Sequence, residues 1–210
     1  GSIRVSTLLQ GRFNVYNCLA AAGAGFLLGI DGSHIASGLG RLKGVPGRFE
    51  KIDCGQNFNA LVDYAHTPDG VRSLLKACRE VAAGRVIIVL GCGGDRDRSK
   101  RPLMGKVACE LSDLCVITSD NPRSEDPLQI IEMMLEGVRD SYPEDRYLVE
   151  ADRRKAIYKA VELAGEGDLL VVAGKGHERG QILSDEVVPF DDREVLREAI
   201  QEVKSVNCKH

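Results

Sequence analysis

A doubly wound, largely parallel α/β sheet is the fold predicted for residues 45–210, and three observations predict it. Short apolar runs at 58–63, 85–90, 114–118 and 169–173 are interleaved with stretches of helical periodicity at 68–81, 101–111, 127–139, 152–164 and 192–203. The run at 114–117 is continuously apolar, as expected of a parallel strand covered on both faces. Polar loops follow the strands, at the carboxyl edge where open α/β sheets bind ligands.

Taken in order, residues 13–30 are rich in Ala and Leu with small residues on one side, predicting a helix that packs closely against a neighbour. Residues 33–42 predict a second, shorter helix. No sheet accompanies these two, so residues 1–44 read as the edge of another domain, with an apolar face left exposed. Gly44-Val45-Pro46-Gly47 is the expected linker. After the 58–63 strand, Pro68 opens a helix capped by Thr67 or Asp69, and Pro127 opens another capped by Ser124 or Asp126. The strand at 169–173 and the helix at 192–203 complete the unit.

Composition narrows the function. With 210 residues, 43% hydrophobic and 28% charged, the chain can bury a substantial core, as one large domain or as one domain plus part of another. Twenty-eight basic against 31 acidic residues, a formal charge of -3, give no support for a nucleic-acid or anionic-membrane surface. No apolar run approaches the roughly 20 residues that span a bilayer, and no signal-peptide pattern opens the chain. A cytoplasmic protein is the expectation. The seven cysteines, Cys18, Cys54, Cys78, Cys92, Cys109, Cys115 and Cys208, contain no C-x-x-C pair and are expected to be reduced and mostly structural. His34 and His210 have no partner at metal-ligand spacing, and no metal site is expected within the chain.

Four loops carry candidate chemistry. In Thr118 to Pro127, Asp120 offers an acceptor, Asn121 both donor and acceptor, and Arg123 a planar fork for a carboxylate, while Pro122 restricts the residue before it. That set suits a zwitterion such as an amino acid; a plain strand-to-helix turn is the alternative. Gly91 to Arg98 combines glycines for close backbone approach with Arg96 and Arg98 as anion-binding heads. It is not a P-loop, since G-x-x-x-x-G-K-[ST] occurs nowhere; a solvated turn is its alternative. Gly174-Lys175-Gly176-His177-Glu178 offers carbonyls and a carboxylate to an ammonium, and its spacing through Gly180 departs from the dinucleotide fingerprint. In Asp63-Tyr64-Ala65-His66-Thr67-Pro68-Asp69, Asp63 suits a ribose or a hydrated cation and His66 a base, unless the segment merely caps a helix.

Six segments occur together and in order: Gly11-Arg12-Phe13-Asn14-Val15-Tyr16-Asn17, Gly47-Arg48-Phe49-Glu50, Asp63 to Pro68, Gly93-Gly94-Asp95-Arg96-Asp97 with Lys100-Arg101-Pro102-Leu103-Met104, Asp120-Asn121-Pro122-Arg123, and Gly174 to Glu178. In this the chain resembles the Mur ligase family from about residue 11 to residue 200. The resemblance implies an ATP-dependent amide ligase of peptidoglycan synthesis. Such a ligase would add meso-diaminopimelate to UDP-N-acetylmuramoyl-L-alanyl-D-glutamate through an acyl phosphate.

It further implies that residues 1–44 are the end of a truncated central ATPase domain and that 45–210 form a Rossmann-like C-terminal domain. The phosphate loop, the Mg2+ ligands, the carbamylated lysine and the UDP site are then expected upstream of residue 1, and the isolated chain is expected to be inactive, with no catalytic residue of its own assigned. Asn14 and Asn17 are expected near the adenine of ATP, Arg48 at its phosphates, and Asp63 and His66 beside the nucleotide. Arg96, Asp120, Asn121, Pro122, Arg123, Gly174 and Glu178 match the positions that hold the incoming amino acid, and the Asp-Asn-Pro-Arg form is the one the family associates with diaminopimelate. Arg179-Gly180 departs from the bulkier pair common in relatives, which affects the pocket rim. A stand-alone amino-acid-binding module and a related ligase such as folylpolyglutamate synthase are the competing readings.

Overall fold

The computed structural model describes residues 2–9, 11–184 and 186–207; Cys208 and His210 lie outside them. Two helices come first, α1 (Arg12–Leu27) and α2 (Gly32–Arg41). There follow β1 (Glu50–Ile52), β2 (Asn59–Asp63), α3 (Pro68–Val81), β3 (Val86–Cys92), α4 (Lys100–Leu111) and β4 (Leu114–Ser119). The remainder is α5 (Pro127–Leu135), β5 (Tyr147–Val149), α6 (Arg153–Leu163), β6 (Leu169–Ala173), a hairpin of β7 (Gly180–Leu183) and β8 (Glu186–Pro189), and α7 (Asp192–Asn207).

The main sheet has the order β1-β2-β6-β3-β4-β5, parallel except where β1 pairs antiparallel with β2. Strands β3, β4 and β5 are laid down in succession through α4 and α5, and α6 then carries the chain back to insert β6 between β2 and β3. The alternation of side chains along each strand divides the core in two. Ile88, Leu90, Ile117 and Val171 face α3, α4 and α5, whereas Ile87, Val89, Val116 and Val172 face α6 and α7. Burial of these apolar side chains, each worth about 1.5–3 kcal/mol, fixes the register, because a slip of one residue would exchange the two faces.

The helix starts follow local chemistry. Thr67 accepts a hydrogen bond from Gly70 N at 3.1 Å with Pro68 at the first helical position, and Asp126 accepts from Leu128 N at 2.9 Å ahead of Pro127. Of the alternative caps, Thr67 and Asp126 are thus the ones in use. The register brings the carboxyl ends of the strands level: Asp63 lies beside Ala173, Leu90 beside Ala173, and Cys92 beside Ser119. The loops that follow these positions therefore meet on one edge.

Three features differ from the sequence expectation. β1 and β5 have three residues each, too few to show a pattern, and the β7–β8 hairpin is half exposed, with its apolar residues in stretches as short as Ile182-Leu183 and Val187-Val188. α5 ends at Leu135, four residues before the predicted end, and continues as turns. α1 ends at Leu27 rather than residue 30 and exposes much of its apolar surface, Leu27 being 91% accessible, which matches the expected uncovered face. Among the described residues no helix is long and apolar enough to cross a membrane.

Candidate functional site

Two pockets open on the carboxyl edge of the sheet. The first, of about 360 Å3, is walled by Arg96, Asp120, Asn121, Arg123, Gly174 and Glu178, six of the seven residues matched to the amino-acid position, together with His66. Pro122 is not on the wall. Its carbonyl lies against the backbone of Gly94, where a Cβ would overlap it, so its contribution is to hold the two loops together.

The Asp120–Arg123 loop is held in an unusual shape. Arg123 has φ +53, a left-handed conformation rare for a residue with a side chain. The hairpin fixes it: Arg123 N donates to Ile182 O at 3.1 Å, and Ser184 N donates to Arg123 O at 2.7 Å. Gln181 Nε2 donates to Ser119 Oγ at 3.0 Å and to Asp120 O at 2.7 Å. One guanidinium nitrogen of Arg123 donates to Gly94 O at 2.8 Å, which anchors the fork on the pocket wall.

Asp120 and Gly174 are pressed together. Gly174 has φ +115, and a Cβ there would lie 2.6 Å from Asp120 Oδ2, so glycine is required both by conformation and by space. Burial raises the pKa of Asp120 above the usual carboxylate range, with Arg153 and Lys175 opposing the rise. Arg153, itself fully buried, forms a paired contact with Asp192 at 2.8 and 2.7 Å and donates to Ser119 O at 3.2 Å and Ala173 O at 2.9 Å. It thereby ties the ends of β4 and β6 to the start of α7. Neither Arg153 nor Asp192 is distinguished in the sequence, because both lie in ordinary helix-start segments.

A second buried arginine, Arg101, lies on the wall of the pocket itself. Arg101 donates to Glu125 at 2.9 and 2.7 Å and to Gly93 O at 3.3 Å, joining the Gly91–Arg98 loop to the segment before α5. Hydrogen bonding from Arg101 above all holds the Glu125 carboxyl down to about 2.

The second pocket, of about 480 Å3, lies between α1 and α3 and is lined by Asn14, Asn17, Arg48 and Asp63, four of the five residues matched to ATP. Asn17 Nδ2 donates to Asn14 Oδ1 at 3.0 Å. Both oxygens of Asp63 accept backbone N–H groups, from Phe49 at 2.7 Å and from Ala65 at 2.8 Å, so the carboxylate clamps the Arg48–Phe49 turn, where Phe49 has φ +47. Burial raises the Asp63 pKa against these two bonds.

The fifth residue, His66, lines the first pocket instead. Tyr64 separates the two spaces: the Arg48 guanidinium lies 4.5 Å from its ring centroid, and the rings of His66 and His177 lie at 4.7 and 5.4 Å. Among the described residues no group of three His, Cys, Asp or Glu is placed to hold a metal ion.

Fold and site together define an α/β domain with two pockets, one rich in opposed charges, on the carboxyl edge of a doubly wound sheet, where such sheets bind ligands. Residues 47–176 match the model of the family described as Mur ligase, glutamate ligase domain. The chain belongs to that family. It is 54% identical over 200 residues to the UDP-N-acetylmuramoyl-L-alanyl-D-glutamate--2,6-diaminopimelate ligase of Syntrophomonas wolfei subsp. wolfei, with 95% of this chain and 41% of that protein covered. A solved structure of a ligase of the same name is similar at TM-score 0.73 and 41% identity, over 97% of this chain and 41% of that one. A folylpolyglutamate synthase of Mycobacterium tuberculosis shares the fold alone, at TM-score 0.64 and 20% identity over 95% of this chain and 41% of that one. The chain thus spans about two fifths of the length of the curated relatives it matches.

Proposed function

We propose that this chain is the amino-acid-capturing part of an ATP-dependent ligase that adds meso-diaminopimelate to UDP-N-acetylmuramoyl-L-alanyl-D-glutamate. The observation that carries the reading is the placement of Arg123 and Glu178 on the wall of one pocket, a cation and an anion for a ligand that bears both charges. meso-Diaminopimelate and lysine differ chiefly by a distal carboxylate, which the Arg123 fork meets and lysine lacks. Glu178 and the Gly174 carbonyl receive the distal ammonium.

In this reading ATP transfers its γ-phosphoryl group to the D-glutamyl carboxylate and ADP leaves. The amine held in the first pocket attacks the acyl phosphate, loses a proton and expels inorganic phosphate from a tetrahedral intermediate, with positioning and charge neutralisation supplying most of the rate. Asn14, Asn17, Arg48 and Asp63 border the nucleotide, with Asp63 acting through the turn it clamps; His66 belongs with the amino acid. Residues 1–44 are the end of a central ATPase domain, whose remainder would supply the phosphate loop and the Mg2+ ligands, and the exposed apolar surface of α1 supports this against a stand-alone binding module. The protein works in the cytoplasm on small molecules.

The test is amide formation by the complete ligase carrying this chain, with meso-diaminopimelate and L-lysine in parallel. A preference of about a hundredfold or more for meso-diaminopimelate is expected from leaving the Arg123 guanidinium without its carboxylate partner. Equal use of the two would overturn the reading.

A further inference from the structure

The Lys175 side chain is 0% exposed, although it lies in the loop that lines the first pocket. Its Nζ donates to Asn121 Oδ1 at 2.8 Å, to Glu178 Oε2 at 3.2 Å and to Gly180 O at 2.7 Å. These bonds use all three ammonium hydrogens, so Lys175 has no donor left for a ligand.

The consequences fall on its partners. Asn121 Oδ1 also accepts from Ile182 N at 3.0 Å, which fills both acceptor sites of the amide and fixes which way it faces. Its Nδ2 then donates to Glu178 Oε2 at 2.8 Å. Two donors, Lys175 and Asn121, thus converge on one oxygen of Glu178, and among the described residues Oε1 accepts no hydrogen bond. The carboxylate is 34% exposed on the pocket wall, held by one oxygen and open at the other.

We propose that Lys175 is a positioning residue for amino-acid capture, orienting Asn121 and Glu178 toward the ligand's ammonium without touching the ligand. This rests on the reading of the first pocket as the amino-acid site. Asn121 is correspondingly a brace more than a ligand contact, with one N–H left to offer.

Steady-state kinetics of the complete ligase test it, with wild type, Lys175→Met, Glu178→Gln and the double variant. Lys175→Met is expected to raise KM for meso-diaminopimelate about tenfold or more, the value of one charge-assisted hydrogen bond, with KM for ATP within about twofold. Because Lys175 acts through Glu178, the double variant should be no worse than the worse single one. Losses that multiply in the double variant, or an unchanged KM in Lys175→Met, would overturn the proposal. Should Lys175→Met fail to fold, Lys175→Gln keeps a donor for Asn121 or Gly180 but removes the charge. A raised KM for meso-diaminopimelate in that variant supports the proposal and a wild-type KM overturns it. Wild-type enzyme that ignores meso-diaminopimelate would overturn the substrate reading and this inference together, whereas a wild type that uses it while the Lys175 variants match it overturns the inference alone.

Discussion

Arg101 and Glu125 are joined by two hydrogen bonds, 2.9 and 2.7 Å long, with the guanidinium enclosed and the carboxylate further bonded by Asp95 N at 2.6 Å and paired with Arg98 at 3.0 Å. The pair holds one wall of the first pocket in place. Its stability contribution has a definite pH dependence. The folded Glu125 pKa is depressed to about 2 from an ordinary 4.5, so the stabilisation is present above the unfolded value and is lost as pH falls through the folded one. Thermal melts of wild type and Glu125→Gln should therefore show a Tm gap that is constant from about pH 7 to about pH 5 and closes toward pH 2. A gap that widens on acidification would contradict the assignment.

Arg123 should decide amino-acid choice. Arg123→Ala is expected to lower kcat/KM for meso-diaminopimelate about a hundredfold or more while leaving ATP affinity nearly intact. Arg123→Lys should rescue poorly, because a point charge cannot reproduce a fork anchored on Gly94 O. Equal kcat/KM for wild type and Arg123→Ala would remove the residue from the pocket's chemistry.

Glu178→Gln and Asp63→Asn should separate the two pockets. The first keeps size and one acceptor but removes the charge, so KM for meso-diaminopimelate should rise and that for ATP stay put. Asp63→Asn turns one carboxylate oxygen into an N–H donor facing a backbone N–H, costing about 1–3 kcal/mol of stability and loosening the Arg48 turn. Its Tm should fall and its KM for ATP rise. The reverse bias in both variants would interchange the pocket assignments.

Asp120→Asn should trade binding for stability. The folded pKa of Asp120 is raised by burial, so the ionised carboxylate destabilises the fold above that pKa, and the penalty disappears as pH falls through it. At neutral pH the amide variant is expected to melt at a higher temperature than wild type and to use meso-diaminopimelate less well. A lower Tm at pH 7 together with unimpaired turnover would refute both parts.

Much of this architecture is legible in the residues themselves. The buried strands 114–118 and 169–173 are short apolar runs that admit few alternatives, and Pro68 and Pro127 mark helix starts because proline suits the first turn. The pocket walls are legible too, since Arg96, Arg123 and Glu178 lie in loops directly after strands. What escapes is the support beneath them. Lys175, Arg153, Asp192 and Glu125 are ordinary charged residues in sequence, and only the folding of distant segments shows them to be paired, the first three of them fully buried. His66 escapes for a different reason: it follows Asp63 by three residues, but Tyr64 lies between the two pockets and the histidine turns to the other side.

The place of β6 in the sheet has a consequence for the first pocket. This strand is the last of the six to be reached along the chain, yet it lies between β2 and β3, the positions that join the two halves. Pairing Asn59 with Leu169 closes a very long loop, an entropic step that the earlier strands cannot anticipate. Until β6 enters, the edges of β2 and β3 are unpaired and the glycine that approaches Asp120 is remote from it. The first pocket is therefore complete only when the sheet is, because β6 makes the sheet's central pairings and leads directly into the glycine that meets Asp120.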